Sequence, residues 1–147
     1  MKKILFLCAS NATRSQMAEG MARKVLGDRF EIYSAGIQPL ALNPLAVKTM
    51  SEIGIDISQQ KSKSINQVPW KEMDIIVTLC GTSSKSLPSL PPTIQRLQWA
   101  VPDPVTMTSH YGFKSSAEGK QMAFKEVREM IQKRMDEFAE EQKKREA

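Results

Sequence analysis

Cysteine, histidine and aromatic side chains are all scarce in this sequence. Two cysteines, Cys8 and Cys80, and one histidine, His110, are present among 147 residues. These are too few for a disulfide-stapled miniprotein or for a structural zinc site built from cysteines, so we expect no metal. Aromatic residues make up 6% of the chain, and no long basic block accompanies them, which argues against a nucleic-acid-binding protein.

Long apolar runs are also missing. The start of the chain resembles the opening of a signal peptide, but Asn11, Arg14 and Gln16 end the apolar run too early for one. No stretch approaches the length of a membrane span, which needs about 20 apolar residues. We therefore expect a cytoplasmic protein that has no membrane partner and keeps its cysteines reduced.

The remaining composition is that of an ordinary globular domain. Hydrophobic residues make up 41% and charged residues 25% of the chain, so we expect a single domain with one core over residues 1–147. Residues 140–147 alternate in charge and are expected to fray into solvent. The net charge of +5 is spread along the chain, which suggests that the partner is a small anion held in one local site.

Short apolar segments alternate with helical patterns along the chain. The predicted strands are residues 4–7, 30–34, 75–79 and 97–101. Predicted helices follow Arg14, begin at Asn43, and carry an apolar stripe over residues 124–138. This order favours an α/β fold in which helices flank a four-stranded parallel sheet.

The segment from Cys8 to Ser15 leaves the first predicted strand and enters the first helix. A loop there points backbone N–H groups and the positive end of a helix dipole at its centre, which favours binding of a tetrahedral oxyanion. Arg14 can hold two anion oxygens with its forked donors. The helix N-terminus and the Arg14 guanidinium both stabilise a thiolate on Cys8. Ser15 can hydrogen-bond that sulfur, and Asn11 can adopt a left-handed turn. The predicted oxyanion-binding residues are Ala9, Ser10, Asn11, Ala12, Thr13, Arg14 and Ser15.

Two further residues are candidates for chemistry near this loop. Asp103 lies between Pro102 and Pro104, and the two proline rings hold its carboxylate in a defined position. Cys80 ends the third predicted strand as Cys8 follows the first, and the carboxyl ends of parallel strands meet at one edge of a sheet. Cys80 is either a buried apolar side chain or a second reactive thiol.

Six motifs occur together along the chain. They are CASNATRS at residues 8–15, QMAEG at 16–20, YSAG at 33–36, NPLA at 43–46, GIDIS at 54–58 and VTLC at 77–80. In this order they resemble the low-molecular-weight phosphotyrosine phosphatase family, specifically its arsenate reductase branch, over residues 2–135. The resemblance implies that arsenate becomes arsenite through an adduct on Cys8, with Asp103 as the general acid and no bound cofactor. Phosphate and sulfate are the implied competing oxyanions.

The resemblance leaves the second thiol open. Thioredoxin-coupled members carry a third cysteine several residues beyond the position of Cys80, where this chain has SLP at residues 86–88. Either Cys80 attacks the adduct and forms a disulfide with Cys8, or an external thiol such as glutathione attacks it. Because a third cysteine is missing, we expect glutathione with glutaredoxin to support turnover better than thioredoxin.

One cation site of the family is altered in this chain. Some members hold potassium beside the active loop, and Lys63 stands where our alignment expects an aspartate ligand of that ion. The resemblance implies that the Lys63 ammonium replaces the ion and pairs with Glu19. The alternative is that Lys63 is a solvated loop residue.

Two other functions remain open on this scaffold. A tyrosine or aryl phosphatase needs only Cys8, Arg14 and Asp103. The phosphatases of the family have tyrosines directly after the Asp-Pro pair, whereas this chain has VTM at residues 105–107 and its nearest tyrosine is Tyr111. This difference disfavours a tyrosyl substrate. The third possibility is a non-catalytic anion-binding protein.

Overall fold

The computed structural model describes residues 1–80, 89–110 and 116–146. Within these ranges, one sheet contains four strands: β1 (Lys2–Cys8), β2 (Phe30–Gly36), β3 (Ile75–Thr78) and β4 (Gln95–Gln98). All neighbouring strands run parallel, and their order is β2-β1-β3-β4. The predicted four-stranded parallel sheet is confirmed.

Helices connect and cover these strands. The α-helices are α1 (Arg14–Leu26), α2 (Pro44–Ser51), α3 (Pro104–His110) and α4 (Ala117–Glu146), and two 3-10 turns span Ile65–Gln67 and Trp70–Glu72. Helix α2 begins as predicted, because the Asn43 side chain accepts a hydrogen bond from the N–H of Leu45 and Pro44 occupies the first helical position. In the described part of the chain, no helix has both the length and the apolar character needed to cross a membrane.

Strand β1 lies inside the sheet and is buried on both faces. Ile4 and Phe6 face a core formed with α1, α2 and α4, and Leu5 and Leu7 face a smaller cluster covered by the 3-10 turns. Such burial explains why the strand is an uninterrupted apolar run. The strand ends at Cys8, which is 1% exposed, so its carboxyl end delivers a buried thiol to the sheet edge.

The fourth strand does not lie where the sequence predicts it. Residues 97–101 were expected, but β4 is Gln95–Gln98. In the described part of the chain, β4 is an edge strand that pairs only with β3, so it can be polar. The apolar signal came from Trp99 and Val101, which are each 5% exposed and pack into the main core after the strand ends.

The end of the chain also differs from expectation. Residues 140–147 were expected to fray, but α4 continues to Glu146. Gln142 on this last stretch is 6% exposed, and the Glu146 carboxylate lies 3.5 Å from Nε of Arg29. These contacts hold the last helical turns against the body of the protein.

Candidate active site

The active loop, residues 8–15, connects β1 to α1 at the carboxyl edge of the sheet. Asn11 has a φ of 50°, which confirms the predicted left-handed residue. The loop also packs closely against the end of β2. A Cβ on Gly36 would lie 2.7 Å from the backbone nitrogen of Asn11, so only glycine fits there.

Four consecutive carbonyl groups of the active loop accept hydrogen bonds from residues outside the loop. The donor pairs are Gln38 N to Ala9 O (2.9 Å), Leu40 N to Ser10 O (2.9 Å), Gln16 Nε2 to Asn11 O (2.9 Å) and Asn43 N to Ala12 O (3.0 Å). The N–H of a trans peptide points opposite to its C=O, and no cis bond occurs in the described residues. The N–H groups of residues 10–13 therefore face the inside of the loop, where an oxyanion would bind.

Cys8, Arg14 and Asp103 line one cavity of about 480 Å³. Nη1 of Arg14 donates to the carbonyl of Val101 at 3.0 Å, which ties the guanidinium to the segment that carries Asp103. The rim of the cavity includes Leu40 and Val105, both with exposed side chains. The structure thus brings together the three residues that the sequence analysis assigned to nucleophile, anion clamp and acid.

Asp103 lies at the start of α3. Its Oδ1 accepts a hydrogen bond from the N–H of Val105 at 3.0 Å, and its carbonyl accepts from the N–H of Met107 at 3.0 Å. The first bond holds the carboxylate and the second holds the backbone that carries it. Among the described residues, Oδ2 has no hydrogen-bond partner.

The Asn11 amide beside Cys8 has a defined orientation. Sγ of Cys8 lies 2.9 Å from Oγ of Ser15, and Nδ2 of Asn11 donates to the same Oγ at 2.8 Å. Oδ1 of Asn11 accepts from the main-chain N–H of Lys63 at 2.8 Å, which fixes the amide with Nδ2 toward Ser15. Because Ser15 accepts from Asn11, its own proton is free to point at the sulfur.

A buried carboxylate lies behind the active loop. The Glu19 side chain is 5% exposed and lies 3.8 Å from Nζ of Lys63, so the two residues of the predicted cation site are adjacent. Arg23, which the sequence analysis missed, approaches Glu19 at 2.9 Å, and Ser34 donates to its other oxygen. Burial lowers the pKa of Lys63 from its usual 10.5, and the nearby Glu19 opposes that shift.

Cys80 follows β3 at the same sheet edge as Cys8. Leu7 pairs with Thr78 in the register of β1 and β3, and both cysteines belong to the main hydrophobic cluster without a disulfide between them. Residues 86–88 and Tyr111 lie outside the described residues. In the described ranges, no three His, Cys, Asp or Glu side chains gather as metal ligands would.

Two features that build the site were not predicted from the sequence. Gln16 is a fully buried polar residue directly before the buried apolar residues Met17 and Ala18. A polar side chain beside the apolar stripe of a helix is the signal that could have identified it. The support of the loop by the main chain of residues 38–43 has no side-chain signature, so no pattern of residue types could reveal it.

Comparisons with known proteins agree with this geometry. The chain matches the model of low molecular weight phosphotyrosine protein phosphatases over residues 3–147. It is 45% identical to an arsenate reductase of Halalkalibacterium halodurans and 45% identical to one of Bacillus subtilis, each over 95% of this chain and 96% of the relative. A solved arsenate reductase in its oxidized state matches with a TM-score of 0.79 at 28% identity, covering 96% of this chain and 98% of that one. This chain is therefore a member of the low molecular weight phosphotyrosine protein phosphatase family.

Proposed function

We propose that this protein is an arsenate reductase that works through a covalent adduct on Cys8. The observation that carries the proposal is the shared cavity of Cys8, Arg14 and Asp103, with backbone N–H groups directed into the active loop. The 45% identity to curated arsenate reductases supports arsenate as the oxyanion. Phosphate and sulfate have the same tetrahedral shape and would compete with arsenate for the active loop.

In the first step, the Cys8 thiolate attacks the arsenic atom of bound arsenate. An S–As bond forms and an As–O bond breaks. The inward N–H groups and the Arg14 guanidinium balance the negative charge of the oxyanion. Asp103 gives its proton to the departing oxygen, which leaves as water, and a positioned acid of this kind contributes about 10²–10⁴-fold to a rate.

In the second step, another thiolate attacks the sulfur of Cys8. An S–S bond forms, the S–As bond breaks, and its electron pair stays on arsenic, which leaves as arsenite. Arsenic gains two electrons, and each of the two sulfur atoms loses one. A further thiol must then reduce the disulfide before the next turnover, and the need for a pool of reduced thiols favours a cytoplasmic location.

Two sources of the second thiol are available, and we favour an external one. Cys80 is 9% exposed and follows β3, the strand that pairs with the strand of Cys8, so it is one candidate. The chain has no third cysteine, so a Cys8–Cys80 disulfide would stay at this buried edge. A small thiol such as glutathione reaches such an edge more easily than thioredoxin does, and glutaredoxin can then reduce the mixed disulfide.

Lys63 completes the proposed machinery as an internal cation. Its ammonium lies 3.8 Å from the buried Glu19 carboxylate, which supports its use in place of the potassium ion implied by the family resemblance. Arg23 provides a second positive charge on the same carboxylate. Through Ser34, this carboxylate also holds the Asn11 amide of the active loop.

The decisive assay measures arsenite formation with glutathione and glutaredoxin, beside the same reaction with thioredoxin and its reductase. We expect turnover mainly with glutathione, and none for Cys8→Ser in either system. Hydrolysis of para-nitrophenyl phosphate is measured in parallel. Rapid hydrolysis without any arsenite formation would replace the reductase proposal with the phosphatase alternative.

Cys80→Ser distinguishes the two thiol routes. We expect it to reduce turnover only partly, because glutathione attacks the adduct directly. Mass spectrometry after one turnover should then show a glutathione adduct on Cys8. Complete loss of turnover in Cys80→Ser, with a Cys8–Cys80 disulfide in the wild-type protein, would show that Cys80 is the obligatory second thiol.

A further inference from the structure

Gln16 is a fully buried glutamine near the start of α1. Its Nε2 lies within hydrogen-bond distance of three acceptors, namely Asn11 O at 2.9 Å, Asn11 Oδ1 at 3.1 Å and Lys61 O at 3.0 Å. Two of these acceptors belong to the left-handed residue of the active loop. Gln16 itself does not line the cavity, so any effect on chemistry must pass through Asn11.

Main-chain groups determine which way the Gln16 amide faces. Nε2 of Gln60 donates to the main-chain carbonyl of Gln16 at 3.0 Å and to its Oε1 at 2.8 Å. A carbonyl can only accept, so the Gln60 amide has one possible orientation. Oε1 of Gln16 therefore faces Gln60, and its NH₂ group faces Asn11 and the carbonyl of Lys61.

The Asn11 amide connects Gln16 to the hydroxyl group beside the sulfur. Oδ1 of Asn11 accepts hydrogen bonds from Gln16 and Lys63. Its Nδ2 donates one hydrogen to Ser15 at 2.8 Å and one to Ser34 at 3.0 Å. A thiolate can only accept, so with Cys8 ionised the Ser15 hydroxyl donates to its sulfur at 2.9 Å. Gln16 also occupies the carbonyl of Asn11, which turns the next N–H, that of Ala12, toward the anion.

We propose that Gln16, oriented by Gln60, is a positioning residue for Cys8 and for the oxyanion. Together with the main-chain N–H of Lys63, it holds the Asn11 amide, whose Nδ2 donates to Ser15 beside the sulfur, and so stabilises the thiolate. It also fixes the inward N–H donor of Ala12 in the active loop. This inference rests on the proposed function for the identity of the nucleophile, but it does not require that arsenite be produced.

Gln16→Met tests the inference because methionine has similar length and volume but cannot donate. Gln60→Met keeps the Gln16 donor and removes only the group that orients it. Gln67→Met is the matched control, because Gln67 accepts from the N–H of Ser64 and has no bond to the active loop. All three are made in the full chain, and thermal melts followed by circular dichroism show whether each one folds.

Two readouts avoid any need for turnover. The first is the pH dependence of Cys8 alkylation by iodoacetamide, followed by mass spectrometry of the Cys8 peptide. The second is the phosphate concentration that halves this alkylation rate. We expect alkylation of Gln16→Met near neutral pH to slow by about three- to tenfold, with a similar weakening of phosphate protection, as the loss of one buried hydrogen bond implies.

Gln60→Met should shift both readouts in the same direction by a smaller factor, and Gln67→Met should match the wild type. A Gln16→Met protein with a lower melting temperature but a wild-type alkylation profile and phosphate protection would overturn the inference. If Gln16→Met does not fold, Gln60→Met decides alone, and a wild-type profile there overturns it. If the wild-type protein alkylates as expected but makes no arsenite, only the proposed function fails.

Discussion

Adding one methyl group at Gly36 should displace the active loop. The Cβ of an alanine would lie 2.7 Å from Asn11 N, 2.7 Å from the carbonyl carbon of Ser10 and 3.1 Å from the carbonyl oxygen of Ala9. Ordinary contacts begin near 3.4 Å, so backbone must move by about 0.7 Å, and overpacking of this kind costs typically about 1–3 kcal/mol. The strand cannot retreat easily, because the N–H of Gly36 bonds the carbonyl of Lys63 at 2.8 Å.

The loop is therefore the part that moves, and the anion donors move with it. A misplacement of about 1 Å can cost about 10²-fold in activity, so we expect Gly36→Ala to lose roughly ten- to a hundredfold in turnover, with weaker phosphate binding. Isothermal titration calorimetry with phosphate, arsenite assays and urea unfolding measure the three effects.

Gly54→Ala is the matched control for stability alone. Gly54 has a φ of +77° with nothing within 4 Å of an added Cβ, so alanine there costs about 1–2 kcal/mol of backbone strain and should leave phosphate affinity unchanged. If Gly36→Ala binds phosphate as tightly as Gly54→Ala, the close contact between β2 and the active loop does not shape the anion site.

Three further variants test the site. Asp103→Asn should slow adduct formation in a single turnover by about 10²–10⁴-fold. Its phosphate affinity should be nearly unchanged, because the proton is needed only in the transition state. An unchanged rate of adduct formation would remove Asp103 from the mechanism. Arg14→Lys should weaken phosphate binding measured by calorimetry, since an ammonium cannot make the forked contact; wild-type affinity would contradict that. Because burial lowers the pKa of Lys63, the unfolded chain holds this proton more tightly than the folded one. The wild-type free energy of unfolding, relative to Lys63→Met, should therefore rise as the pH approaches 10.5 in urea titrations, and a constant difference would refute this.

The sequence predicts the parts of the site that are local in the chain. Cys8 and Arg14 are joined by a short loop between a strand and a helix, and this placement together with their spacing predicts an oxyanion-binding loop. Asn43 and Pro44 mark a helix start for the same reason, because capping depends on neighbouring residues. These predictions required no knowledge of which strands are adjacent.

Contacts between distant segments were not predictable in this way. Gln16 and Gln60 are 44 residues apart, and nothing in either neighbourhood indicates that their amides meet. The pair of Glu19 and Arg23 was within reach, because residues four apart share a helix face, but surface pairs with that spacing are common. The shift of β4 arose because burial of Trp99 outside a strand looks the same in sequence as burial within one.

Main-chain N–H groups of residues 38–43 support the active loop at the cavity mouth. The position of the loop therefore does not depend on which side chains these donors carry. Gln38 and Leu40 hold the loop through their N–H groups, and the Leu40 side chain is 65% exposed. The side chains of Gln38 and Leu40 can therefore change without removing these two hydrogen bonds, and only proline, which lacks the N–H, is excluded there. The shape and charge of the cavity mouth can thus vary at these two positions while the active loop keeps both hydrogen bonds.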